Sequence, residues 1–270
     1  MSSVERDESL EAGEPIYLYT FTRGTVSWRY TNSDRNEVFG GHTFLTTAID
    51  HSAIKTTGSN ESSDVSITLP RSLSVAENWF PWPPSDIIMC MIQTVHEGEA
   101  DAQMIWIGRL VQPKFSDNEL TLLSEPYVTS GRAVAPAPRI QRSCRKTLYG
   151  PQCKVDPEAH RVAGTIASID GFVLNIAAAA TFPNGRLVNG AVEWERPDGL
   201  KMSRTIEQHE GASVVIDYGD LSLEELLDVT LLPGCRQSFE DCRDYFENEL
   251  NCGAQKYIPI RNPHDGNPVR

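Results

Sequence analysis

The feature that most restricts the fold of this chain is its division into short runs of β-branched and aromatic residues. Each run is broken by a turn residue before it reaches helical length. Residues 16–21 lead through Arg23-Gly24 into residues 25–31, a hairpin by composition. Further runs stand at 43–49, 64–69, 87–95, 104–110 and 119–123. Strands at this spacing, with no long helical period between them, predict a sandwich or a barrel. Asn78-Trp-Phe-Pro-Trp-Pro-Pro84 interrupts the series as a rigid aromatic loop, expected to plug a core rather than to dock a partner.

A second β region follows. Residues 162–169, the turn Asp170-Gly171 and residues 172–176 form a strong hairpin signal. Residues 185–194, the turn Pro197-Asp-Gly199, and residues 201–207 and 212–218 continue it as a meander. Ser222-Leu-Glu-Glu225 fits a capping box and predicts one short helix. Leu231-Leu-Pro-Gly-Cys235 ends a strand. Ser238 is of the right type to cap a helix carrying Phe239, Cys242, Phe246 and Leu250 on one face, with Gly253 as its stop. The expected class is therefore mainly β, with two β-rich, barrel- or sandwich-like domains and a small helical, cysteine-stapled C-terminal segment. The expected division is an N-terminal arm at 1–14, a β domain at 15–130, a linker at 131–143, a second β domain at 144–232 and the cysteine segment at 233–270. The arm is acidic and too poor in apolar residues to fold alone. The final forty residues are too few to build a core unaided and need a staple.

Composition removes several classes of function. A formal charge of -13 argues against general nucleic-acid binding, which needs a basic footprint. The longest apolar stretches are strand-sized, so no direct membrane insertion is expected. The first residues lack the basic and apolar regions of a signal peptide, which predicts synthesis and retention in the cytoplasm. In that reducing compartment the six cysteines are thiols, metal ligands or core filler before they are disulfides.

Four of those cysteines form two separated pairs. Cys144-Arg-Lys-Thr-Leu-Tyr-Gly-Pro-Gln-Cys153 holds eight residues between its cysteines, and Cys235-Arg-Gln-Ser-Phe-Glu-Asp-Cys242 holds six. Two such pairs can supply four soft thiolates to one metal centre. The loops are longer than those of a zinc ribbon, and a wider bite suits a cluster better than a single ion. Arg142, Arg145, Lys146, Lys154, Arg236 and Arg243 crowd the pairs, and such cations are expected to offset thiolate charge and lower the thiol pKa values. Buried free thiols and two local disulfides are the competing readings. Cys90, within Ile-Ile-Met-Cys-Met-Ile, reads as a buried strand residue. Cys252, with nine residues between it and Cys242, is a fifth candidate ligand or a packing residue.

These blocks resemble the phage tail-hub family related to the minor tail protein L of lambdoid phages and to the hub of gene transfer agents. The resemblance runs from about Glu14 to the end. It rests on Tyr19-Thr-Phe-Thr-Arg-Gly with Trp28-Arg-Tyr-Thr, on Cys144 to Asp156, and on Pro233 to Phe246 with Asn248, Asn251, Gly253 and Ile258-Pro259. The two cysteine blocks are its specific part. The resemblance implies a [4Fe-4S] cluster bound by Cys144, Cys153, Cys235 and Cys242. It also implies a homotrimeric ring at the virion tail tip, assembled in the host cytoplasm, between the distal tail protein and the central fibre protein, with the tape measure protein as a further neighbour. The chain departs from the family at Cys252, where relatives carry an aromatic or other apolar residue, which favours packing for this cysteine.

Two other functions compete. A structural zinc module would use the same cysteines. A tail-associated cysteine hydrolase would need a histidine beside a cysteine, whereas His42, His51, His96, His160, His209 and His264 are scattered singly. No phosphate loop, HExxH or GxSxG occurs, so no catalysis is expected.

Overall fold

A computed structural model describes residues 15–54, 64–96, 101–127 and 140–259. The expected arm at 1–14, most of the expected linker (131–139) and the end of the tail lie outside the described residues. The chain divides into two compact units, one of residues 1–134 with 197–200, the other of residues 135–196 with 201–270. The mainly β class is what the alternation predicted: fifteen strands are present among the described residues, with one α-helix of six residues. No helix among them is long and apolar enough to cross a membrane.

The first unit is a nine-stranded sheet. Its strands are β1 (Ile16–Arg23), β2 (Val26–Thr31), β3 (Glu37–Phe39), β4 (His42–Thr46), β5 (Asp50–His51), β6 (Val65–Pro70), β7 (Ile88–Val95), β8 (Gln103–Phe115) and β9 (Glu119–Pro126). They lie in the order β3-β4-β2-β1-β7-β8-β9-β6-β5. The period of two places alternate side chains on one face: Val65, Ile67 and Leu69 of β6 are fully buried beside Leu120 and Leu122 of β9 and Tyr19 and Phe21 of β1. Cys90 on β7 is fully buried in this core, and burial pushes its thiol pKa up. The aromatic loop is a plug only in part. Asn78 and Trp79 are buried, with Asn78 Oδ1 accepting from Arg23 Nη1 at 2.9 Å, but Phe80 is 53% exposed with the Arg71 guanidinium 4.6 Å over its ring.

The second unit carries the two cysteine pairs. β10 (Val162–Asp170), β11 (Val173–Ile176), β12 (Ala191–Glu195), β13 (Lys201–Glu210), β14 (Ser213–Ile216) and β15 (Asp228–Leu232) close into a barrel in the order β10-β11-β14-β13-β12-β15. Closure leaves no free sheet edge. The interior is filled by Ile166, Leu174, Ile176, Val192, Ile206, Val214 and Leu231. The Asp170-Gly171 hairpin turns with Gly171 at φ +61, a backbone region that glycine enters without penalty.

Three local expectations fail for identifiable reasons. The run at 185–194 becomes a strand only at Ala191. Residues 184–189 turn instead, held by Gly185 N–H to His209 O at 3.0 Å and Asn189 N–H to Ile206 O at 2.9 Å. The capping box at Ser222 opens no helix. Both the amide and the hydroxyl of Ser222 donate to Asp220 Oδ1, at 2.9 and 2.6 Å, while its Oγ accepts from Trp194 Nε1 at 2.8 Å. A hydroxyl so engaged cannot cap a helix. Near the C-terminus Ser238 does cap a helix, accepting from Asp241 N at 3.1 Å, but α1 spans only Phe239–Asp244. Glu247, at φ +49, turns the chain, and Leu250 is 94% exposed rather than packed beside Phe246.

Candidate metal centre

Two short segments meet beside the barrel. In the first, Gly150 N–H bonds Thr147 O at 3.1 Å, and both Cys153 and Lys154 bond Gly150 O at 3.0 Å, so the Gly150-Pro151 turn brings Cys153 back towards Cys144. In the second, β15 ends at Leu232 and delivers Cys235, and the first turns of α1 carry Cys242. The segments are tied directly: Cys144 N–H donates to Gln237 O at 2.6 Å, Asn248 Nδ2 to Cys153 O at 2.6 Å, Tyr149 Oη to Pro233 O at 2.8 Å, and Lys146 Nζ to Asn251 O. Val155, Phe246 and Cys153 form a small core with Tyr149 and Tyr245 packed against it. Hydrogen bonds and apolar packing thus join the C-terminal segment to the first cysteine block.

Cys144, Cys153, Cys235 and Cys242 all line one cavity of ≈ 360 Å³. All six cysteines of the chain are free thiols. Three of the four sulfurs accept N–H donors: Cys144 from Gly253 N at 3.3 Å, Cys235 from Gln237 N at 3.3 Å, and Cys153 from Asn248 Nδ2 at 3.8 Å. Donors aimed at sulfur favour a thiolate over a thiol and are the means by which proteins tune thiolate-bound metals. Gly253 packs closely there: a Cβ would meet Cys144 Sγ at 3.3 Å and Lys146 Cγ at 3.4 Å. The backbone around the sulfurs is strained: Tyr149, Lys154, Gln237 and Glu247 all have φ between +49 and +62. Such left-handed non-glycine residues cost about 1–3 kcal/mol each and persist where surrounding structure imposes them, as at ligand sites.

Among the described residues no three His, Cys, Asp or Glu side chains close around a single-ion position. A tetrahedral zinc with Zn–S near 2.3 Å needs sulfurs roughly 3.8 Å apart. The four thiols here border a void instead. The donor set is soft, all sulfur, and placed on the wall of a space larger than one ion.

At Cys235 and Cys242 the expected lowering of the thiol pKa is not seen. Burial, as the largest cause, pushes the Cys235 thiol up to about 11 and the Cys242 thiol up to about 12. Arg243 pairs with Asp244 at 2.6 Å on the surface, Arg142 donates to Ile258 O at 3.2 Å, and Arg145, Lys154 and Arg236 are exposed. In water their charge is screened. The cation that matters is Arg186, which no local pattern marked. It is 7% exposed, contacts Asp241 Oδ1 at 2.5 Å, donates to Gly234 O at 2.8 Å, and lies 3.4 Å over the Tyr245 ring. Asp241 in turn accepts from Arg236 N at 2.9 Å. Arg186 therefore holds the Cys235–Cys242 loop against the barrel from about fifty residues away. His160 stacks on Tyr245 at 5.8 Å and meets Phe246 at 5.1 Å, and burial lowers its pKa. Its contacts are those of a packing residue.

Residues 185–262 match the family model described as phage conserved hypothetical protein BR0599. That span contains Arg186, Cys235, Cys242 and Cys252 but not the first cysteine pair. An uncharacterized protein of Xylella fastidiosa (strain 9a5c) is 36% identical over 173 residues, 58% of this chain and 36% of that one. The chain thus spans about a third of the length of this relative. A chain from the virion of a native gene transfer agent particle superposes with a TM-score of 0.79 at 16% identity, over 100% of this chain and 97% of that one. At that identity the likeness is one of fold.

Proposed function

We propose that this chain is a structural protein of a phage-type virion. In this reading it is the hub of a siphophage tail tip, a homotrimeric ring that links the distal tail protein to the central fibre protein and adjoins the tape measure protein. Its four cysteines, Cys144, Cys153, Cys235 and Cys242, bind a [4Fe-4S] cluster. The observation that carries the cluster is their convergence on one cavity, with N–H donors aimed at three of the sulfurs. The phage description of the family model matching residues 185–262 and the fold shared with a chain of a gene transfer agent virion support the place in a particle.

When bound, the cluster supplies four iron–thiolate bonds that cross-link the two cysteine blocks. The chain's own groups prepare that cross-link. Gly253 N–H, Gln237 N–H and Asn248 Nδ2 stabilise three thiolates, and Arg186 fixes the second loop. The role is one of assembly: Cys144, Cys153 and Cys242 are buried, Cys235 is half-buried, and the neighbouring His160 is engaged in ring contacts.

Anaerobic purification of the full chain with iron, zinc and sulfide analysis tests the cluster. Roughly four irons per chain with matching sulfide is the expected result, and stoichiometric zinc without iron overturns it. Cryo-electron microscopy of particles from the same host tests the hub, which requires three copies in a ring at the distal end of the tail tube.

A further inference from the structure

The segment between β14 and β15, residues 217–227, lies across one end of the barrel and is tied to three other strands. Asp217 N–H donates to Thr205 O on β13 at 3.0 Å, and Leu226 N–H to Ile166 O on β10 at 2.8 Å. Trp194 Nε1 on β12 donates to Ser222 Oγ at 2.8 Å. The buried Arg204 guanidinium adds bonds to Gly219 O at 3.3 Å and Asp220 Oδ2 at 3.2 Å. A loop held at so many points presents its outer surface already ordered, which lowers the cost of binding.

The four leucines of this loop divide. Leu223 and Leu227 are half-buried, whereas Leu221 is 76% and Leu226 80% exposed. Leu226 also sits at φ +67, in the left-handed region that a leucine enters only at a cost, and it returns almost no buried area. Phe172 and Val173, 41% and 37% exposed, stand at the tip of the β10–β11 hairpin, where Phe172 O accepts from Ile216 N–H just before the loop departs. Single exposed apolar residues are ordinary, but four at one barrel end point to an interaction surface.

The charge of this end is one-sided. Residues 210–234 carry Glu210, Asp217, Asp220, Glu224, Glu225 and Asp228 but no lysine, arginine or histidine, and residues 162–185 carry no cation either. Arg204 is spent on Asp220, and Glu195 and Lys201, at the adjoining ends of β12 and β13, pair in register and cancel. Glu224 and Glu225, both exposed, stand in sequence between the two exposed leucines.

We propose that this barrel end docks a different protein chain of the particle, one that offers an apolar pocket rimmed by lysine or arginine. Self-pairing of this end in two copies would oppose like carboxylates in a chain of formal charge -13. Burial of Leu221 and Leu226 supplies the affinity, and the carboxylate rim selects and orients the partner. The inference rests on the reading of the chain as a virion protein.

The test uses intact particles containing the full chain with the photo-reactive substitution Leu226→p-benzoylphenylalanine. Irradiation and peptide mass analysis should join residue 226 to a different chain, at a peptide containing lysine or arginine. Leu226→Asn introduces a polar residue that tolerates the left-handed backbone. It should leave the melting temperature of the free chain unchanged or higher, yet lower incorporation into particles at least tenfold. Glu224→Lys with Glu225→Lys should lower incorporation by a similar factor while circular dichroism stays unchanged. A cross-link only to a second copy, no cross-link, or normal incorporation of either variant overturns the docking surface alone. Absence of the unmutated chain from purified particles overturns the virion reading and this inference with it.

Discussion

Asn248 and Arg186 show how single residues set the site from outside the cysteine blocks' ligand positions. Asn248 spans the gap between the two blocks, with its side chain on Cys153 and its backbone on Cys242. Asn248→Ala should leave the buried Cys153 carbonyl without its donor, at a cost of about 1–3 kcal/mol. The expected outcome is a lower melting temperature and a lower iron content in the same variant. Arg186 poses a different case, because its partner Asp241 has a side chain only 8% exposed. Arg186→Met strands a buried carboxylate and should destabilise the chain by about 3–5 kcal/mol. Arg186→Met with Asp241→Leu should recover much of that loss, because the uncompensated charge is gone. A double-mutant cycle by denaturant unfolding measures the difference, and strict additivity of the two single effects would show that the pair is not coupled.

At the scale of elements, the decisive contact lies between the end of β15 and the turn that precedes β12. Gly190 and Gly234 lie back to back there: a Cβ on Gly234 would collide with Val188 O and the Gly190 amide, and one on Gly190 with Leu232 O. The close approach lets β15 run on into Cys235 while Arg186 in the same turn reaches Gly234 O. Gly234→Ala forces backbone apart rather than a flexible side chain. Overpacking of this kind typically costs about 1–3 kcal/mol. The predicted result is a folded barrel with a displaced Cys235, seen as retained β-type circular dichroism together with reduced iron binding. Full iron content in that variant would show that the glycine pair does not position the ligand.

For the whole molecule, the cluster should act on the second unit alone. Cys153 and Cys235 bracket a loop of about 80 residues that contains all six strands of the barrel, and closing a loop of that size restricts the unfolded chain by roughly 4–5 kcal/mol on the disulfide analogy. Ligand binding adds directly to folding free energy. Removing iron with a chelator should therefore lower the unfolding transition of residues 140–259 and leave that of the nine-stranded unit unchanged. Limited proteolysis should cut first between Pro233 and Tyr257. The hydrogen bonds and the Val155–Phe246 packing found there mean that the segment should loosen rather than unfold. Equal protection with and without iron would contradict the staple.

The sequence by itself determined the β class, most strand positions, the hairpins and the buried Cys90, because alternation and turn chemistry act within a few residues. It also marked the four cysteines, through two short blocks whose spacing is visible on the line. It misplaced what depends on competition: Ser222 had a capping partner in sequence but bonds Asp220 and Trp194 in space, and the helix over Leu250 yields to the turn that ties Asn248 to both blocks. Only the tertiary structure decided that Arg186, rather than a cation near the cysteines in sequence, is the buried guanidinium that holds the Cys235–Cys242 loop. The physical reason is range. Propensity and spacing are local, whereas burial, desolvation and the meeting of two segments exist only once the barrel has closed and brought distant residues together.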